Sequence, residues 1–138
     1  MSIEIVKMSG VRPYPPRMSA FTATFWNGLS AGRLLTTRGV ASGRLSFPPR
    51  PFCSHSWERE VEWVELAGTG ILYSYTVVHV APEMFAQAVP YRLAIVDLDE
   101  GLRLAAGLVG SGPARLDAPA RAIALAYDDG PLLAFAQD

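Results

Sequence analysis

This chain of 138 residues has one cysteine, Cys53, and two histidines, His55 and His79. A single thiol excludes an internal disulfide and leaves the cytoplasm as the expected compartment. No apolar run approaches the roughly 20 residues that span a bilayer. The opening MSIEIVKMSG has no apolar stretch of the kind a secretory signal carries. There is no G-x-S-x-G elbow to present a nucleophilic serine. Gly107, Gly110 and Gly112 lie at a strand end with no helix after them, so they do not form a phosphate loop. The carboxylates cluster in turn sequences, Asp97, Asp99 and Glu100 in one and Asp128 and Asp129 in another. Solvated turns explain both clusters, and no catalytic constellation emerges. No internal repeat or low-complexity tract is present.

What is there fits a globular chain. Half the residues are hydrophobic and 18% are charged. The length suits one domain, or two very small ones sharing a core. Net charge is −1, but it is divided unevenly. Residues 1–57 carry seven basic groups against Glu4 alone, giving +6, and residues 58–138 carry five against twelve acidic, giving −7. One reading is a solvated surface. The other is a basic N-terminal face for an anionic ligand such as the phosphates of coenzyme A, since arginine forks suit phosphate. The acidic half opposes a polyanion, so a single-stranded nucleic acid fits poorly.

Along the chain, residues 1–17 contain Pro13, Pro15 and Pro16 and show no periodicity. They read as an extended arm that orders only against a partner. Ser19 to Ala31 reads as the helix: Phe21, Phe25 and Leu29 recur at i, i+4 and i+8, and Gly32 stands where a C-terminal cap belongs. Gly28 weakens that helix. Trp26 falls off the stripe, either packing on the next segment or serving as an interface anchor. Strands are expected over Leu34–Thr36, Leu45–Phe47, Glu60–Leu66, Gly70–Ala81, Tyr91–Asp99, Leu102–Gly110, Ala120–Tyr127 and Leu132–Ala136. Turns fall at 99–101 and 128–130, with loops over 82–90 and 111–119. His79 ends an apolar strand, near Tyr91 and the Glu83–Val89 loop. It is either a hydrogen-bonded rim histidine or a functional residue at a barrel mouth.

Gly39, Ser42, Cys53 and Ser56 keep the C-x2-C…C-x2-C spacing of a zinc ribbon, with one thiol left of four. Around them stand Phe25-Trp26, Gly43-Arg44-Leu45, Phe47-Pro48-Pro49-Arg50-Pro51, Tyr75-Thr76-Val77-Val78-His79 and Val89-Pro90-Tyr91. In order and spacing these words resemble the domain-of-unknown-function family number thirty-five, from about Phe25 to Phe135. That family joins a rubredoxin-like zinc ribbon to an OB-fold and accompanies thiolases and related acyl-CoA enzymes.

The resemblance implies a mainly β fold: arm 1–17, helix 18–32, a degenerate, metal-free zinc-ribbon subdomain over 33–66, and a five-stranded OB-fold barrel over 67–138. Leu45, Phe47, Phe52, Trp57 and Trp63 are the mass available to hold the ribbon without metal, so zinc is not expected. Cys53 with His55 makes at most half a site. The implied function is a non-catalytic accessory subunit that binds a thiolase-like enzyme and helps form or bridge its acyl-CoA site. Arg44, Arg50, His79 and Tyr91 are the candidate ligand or partner contacts, with Phe25 and Trp26 as anchors. A homodimer stays open. The alternatives are a stand-alone acyl-CoA-binding protein, or a thioester hydrolase using His79 with a barrel-mouth carboxylate. Neither a nucleic acid nor a membrane is the expected partner.

Overall fold

The computed structural model describes residues 2–13, 16–53, 55–80, 90–110 and 112–137. The loop expected over 83–89 lies outside them. Among the described residues one helix, α1 (Ala23–Ser30), stands with nine strands: β1 (Glu4–Lys7), β2 (Leu34–Gly39), β3 (Leu45–Ser46), β4 (Val61–Leu66), β5 (Thr69–Val78), β6 (Tyr91–Leu98), β7 (Arg103–Val109), β8 (Pro119–Tyr127) and β9 (Gly130–Ala136).

Five strands close a barrel in the order β5-β6-β7-β9-β8 and back to β5. The β7–β9 pair is parallel and the others are antiparallel. This is the OB-fold, which removes most sheet edges by closure. Period-2 alternation turns Leu72, Ala94, Val96, Leu98, Leu104 and Leu108 inward, all buried. The tightly packed β8 contributes small residues, Ala120, Ala122 and Ala124, and the fully buried Phe135 of β9 fills the space they leave.

The ribbon is a second, three-stranded antiparallel sheet in the order β3-β2-β4. Its Leu34 and Leu66, with Phe25 and Leu29 of α1, join the barrel's own core, so ribbon, helix and barrel share one apolar interior. Buried Thr36 and Ser46 are satisfied together, the threonine hydroxyl donating to the Ser46 carbonyl.

Two expectations need revision. The helix begins at Ala23, not Ser19, because Ser19 and Thr22 exchange backbone-to-side-chain hydrogen bonds (2.8 and 3.1 Å) and hold a turn in front of it. Gly28 lies close against β2: a Cβ there would sit 2.6 Å from Leu35 Cδ1, so that side chain would have to shift. The arm does not wait for a partner. β1 pairs in parallel with Glu4↔Ile123 to Lys7↔Ala126, and Ile3 is buried in the core. Further along, the largely buried Arg12 guanidinium donates to the carbonyls of Asp129 and Pro131 at 2.9 and 3.3 Å.

Candidate functional site

The two knuckles meet across a short gap. The first turns through Gly39–Gly43, where the Gly43 N–H donates to the Gly39 carbonyl at 2.8 Å. The second turns at Cys53–Trp57, where the Trp57 N–H donates to the Cys53 carbonyl at 2.8 Å. Ser42 Oγ and Cys53 Sγ stand 3.7 Å apart. The four ribbon positions therefore converge as the spacing implies. Their donor set does not fit zinc: Gly39 has no side chain, Ser42 and Ser56 offer neutral hydroxyls, and only Cys53 is a thiol. Among the described residues no group of three or more His, Cys, Asp and Glu could hold a metal ion.

A residue that sequence reasoning missed occupies the gap. The Glu58 carboxylate accepts from the Ala41 N–H (2.9 Å), the Ser42 N–H (3.1 Å), the Ser42 hydroxyl (2.6 Å) and the Ser56 hydroxyl (3.1 Å). The Ser42 hydroxyl, followed by the backbone donors, holds this carboxyl below the usual glutamate range, with burial working against it. Cys53 is enclosed, yet its thiol is lowered to about 7, chiefly by the Ser56 hydroxyl and then by nearby backbone N–H groups. The available signal was an acidic residue two positions beyond the last degenerate ligand.

Trp57 was expected to fill the ribbon. It is instead 74% exposed, with φ +62°, and stacks flat on Phe52 at 5.6 Å between ring centroids. The knuckle turn places this residue in the left-handed region, which points the indole away from the sheet. Phe21, from the turn before α1, packs beside Trp63 at 5.2 Å.

Phe25 and Trp26, the residues expected as anchors, pack against each other. Phe25 meets Trp26 edge-on at 4.9 Å and Phe47 at 5.8 Å. These rings, with Pro48, Leu133 and Arg17, line an apolar groove of about 440 Å³ where α1, the proline crossing and the barrel strands β7 and β9 meet. Arg44 lies elsewhere, in a smaller hollow of about 290 Å³ with His55 and Glu100. Arg50 is exposed, and its backbone N–H donates to Thr37 Oγ1 at 3.0 Å. His79 is exposed just past β5, and Tyr91 opens β6 opposite Val78. No single cavity is lined by all these residues among those described.

The charge split along the chain is folded against itself. Arg12 meets Asp129 at 3.4 Å, Arg33 meets Glu65 at 3.2 Å and Arg38 meets Glu62 at 2.6 Å. The carboxylates in the turns are not merely solvated either. Asp99 accepts from Thr69 Oγ1 at 2.6 Å and Glu100 from the Ala67 N–H at 2.8 Å, tying the β6–β7 turn to the junction of ribbon and barrel.

β5 is unevenly protected. Thr69 to Ile71 pair with β8, and Leu72 exchanges hydrogen bonds with Ala118 and Asp117. From Tyr73 to Val78, β6 is the only strand pairing among the described residues. Tyr73, Tyr75 and Val77 are exposed there. Nor does any helix of the described residues have the length and apolarity to cross a membrane.

A closed OB barrel carrying a ribbon with two facing knuckles at its N-terminal side defines a known class. A model described as the ChsH2 rubredoxin-like zinc ribbon domain matches residues 26–62, and one described as the ChsH2 C-terminal OB-fold domain matches residues 63–124. The chain belongs to this family, DUF35, with three of the four zinc-ligand positions no longer cysteine.

It is 36% identical over 125 residues to the 3-oxo-4,17-pregnadiene-20-carboxyl-CoA hydratase alpha subunit of Mycobacterium tuberculosis, covering 89% of this chain and 40% of that protein. It is 37% identical over 113 residues to the benzoylsuccinyl-CoA thiolase subunit BbsA of Geobacter metallireducens, covering 80% of this chain and 75% of that one. Among solved structures it resembles a chain of the Ltp2-ChsH2(DUF35) aldolase, with a TM-score of 0.76 at 34% identity, covering 88% of this chain and 98% of that one. The chain spans two fifths or less of the length of the hydratase alpha subunits it matches, 40% and 34%.

Proposed function

We propose that this chain is a non-catalytic accessory subunit that binds a thiolase-like enzyme and helps form or bridge its acyl-CoA site. One observation carries the reading: the groove at Phe25 and Trp26 is apolar, and the described residues that line it include no histidine, cysteine, aspartate or glutamate. Such a surface can hold an acyl or pantetheine chain by burial. It cannot supply the nucleophile or acid–base pair that carbon–carbon chemistry on a thioester needs. The enzyme would provide those groups. The likeness to a thiolase subunit and to a chain of an aldolase supports assembly with an enzyme. We place the enzyme contact along the uncharged outer edge of β5, where an extended segment would complete the ladder.

The test is co-purification of the tagged chain from its native host, followed by calorimetry with acyl-CoA. A stoichiometric thiolase-fold protein, with acyl-CoA binding that Trp26→Ala weakens, is the expected result. A solitary oligomer that turns over acyl-CoA, with turnover abolished by His79→Ala, would replace this reading with a self-sufficient thioester hydrolase. His79 is exposed at the end of β5 beside Tyr91, whereas Asp97 and Asp99 lie at the opposite end of the β5–β6 pair and are bonded to Arg103 and Thr69.

A further inference from the structure

We infer that this ribbon has exchanged its metal for a carboxylate: Glu58 occupies the position between the knuckles and does by hydrogen bonding what a zinc ion does by coordination.

The argument begins with volume. A Cβ on Gly39 would overlap Glu58 Oε1 and lie 2.7 Å from Glu58 Cδ. A side chain at the first ligand position and a carboxylate from position 58 compete for the same space. Glycine at 39 is therefore part of the exchange and not simple decay of a ligand. The second point is polarity. The Ala41 N–H, the Ser42 N–H, the Ser42 O–H and the Ser56 O–H all aim at the centre. Converging donors make an anion site and repel a cation. A carboxylate can accept about four such bonds, and here it accepts that number.

The third point is reach. A structural metal matters because it ties two loops distant in sequence. Glu58 does the same. Its side chain grips the first knuckle 16 and 17 residues away, and its carbonyl accepts the Cys53 N–H of the second at 2.8 Å. The Glu60 carbonyl adds a bond from the Val40 N–H at 3.0 Å. The two degenerate serines are not vestiges in this arrangement. Each has become a hydroxyl donor to the group that took the metal's place.

The experiment uses the full chain and three readings. Elemental analysis after desalting should give far less than one zinc per chain, and the melting temperature should not move with a chelator. One tightly held zinc per chain, with a chelator-induced loss of stability, would overturn the inference. Glu58→Ala should lower the melting temperature, and Glu58→Gln should recover part of the loss because its amide oxygen still accepts the hydroxyl donors. An unchanged melt in Glu58→Ala would also overturn it.

Because Glu58→Ala could fail to fold, the third reading rebuilds the metal site. Gly39→Cys, Ser42→Cys and Ser56→Cys, combined with Glu58→Ala, should bind cobalt with thiolate charge-transfer bands. The same three cysteines with Glu58 retained should bind cobalt about tenfold more weakly or worse, the size expected when the surroundings of a metal site are misplaced. Equal affinity in the two would show that the carboxylate and a ligand at 39 do not compete.

Discussion

The ribbon and the barrel are both small β-sheets in one chain, yet they are held by opposite means. The barrel closes on itself: every strand from β5 to β9 has two neighbours over at least part of its length, and its interior is apolar. The ribbon stays open. β3 is only two residues long, and the interior side chains at the knuckle end are Thr36, Thr37, Ser46 and Cys53, mostly polar. Closure distributes stability around a ring, so no single polar group matters much. An open ribbon concentrates it at the point where its loops cross. In metal-bearing ribbons that point is the ion, and here it is a carboxylate with four donors.

The largest effect should come from the barrel. Phe135→Ala removes a fully buried ring at the centre of the shared core. Urea denaturation should show a loss of about 3–5 kcal/mol, the range for aromatic truncation in a well-packed core. Because α1, Leu34 and Leu66 lean on the same interior, ribbon and barrel should unfold together in this variant. Separate transitions would show that the two regions do not share a cooperative core.

Glu58→Ala should break the comparison in the other direction. Its damage is confined to the knuckles, so hydrogen exchange should accelerate over 39–60 while β5 to β9 keep their protection. The melting temperature should fall less than for Phe135→Ala. Uniform acceleration throughout the chain would mean that the knuckles are not a separable unit.

Acid should reproduce that local loosening in the native protein. The folded-state pKa of Glu58 lies below its unfolded value, mainly through the Ser42 hydroxyl. The stability it contributes is therefore complete above the unfolded pKa and is lost as pH falls through the folded one. From the second knuckle the Cys53 thiol reaches the same Ser42 hydroxyl, at 3.7 Å. The thiol titrates near 7 and is already neutral in this acid window. Asp97 and Asp129 are also lowered, by Arg103 and by the Arg12 backbone N–H respectively, so the barrel has an acid slope of its own. Fluorescence of Trp57 and Trp63 should report the ribbon. Its acid-dependent change should flatten in Glu58→Gln, and an unchanged profile in that variant would assign the slope to the other carboxylates.

The barrel was legible because each of its strands carries its own signal. Period-2 alternation in β6 and β7 and the turn residues at 99–101 and 128–130 are local features. The placement of Phe25 and Trp26 together on one helix was legible for the same reason, since Phe25 belongs to a helical stripe. The groove they line was not, because Pro48, Leu133 and Arg17 reach it from separate segments. β1 was hidden by context: four residues with no periodicity pair with a strand more than a hundred positions later. Arg12 could be counted as basic but not seen to be spent on Asp129. Glu58 was missed because spacing rules look for ligands at fixed offsets, and a carboxylate that replaces the ion itself need not sit at any of them. Trp57 was misread because composition cannot tell an inward indole from one turned outward by a left-handed backbone.

The smallest effect should come from the ion pairs that join the basic and acidic halves. Arg38 and Glu62 face each other across β2 and β4 at 2.6 Å, with each side chain close to half exposed. An exposed pair of this kind contributes about 0–1 kcal/mol, and less in salt. A double-mutant cycle on Arg38→Ala and Glu62→Ala should give a coupling in that range that shrinks between low and high ionic strength. If the ribbon relied on surface charge and not on its knuckle carboxylate, the coupling would exceed that range and Glu58→Ala would be mild. The opposite ranking is expected, because water screens one pair, while the other carboxylate is gripped by four donors in the gap between two loops.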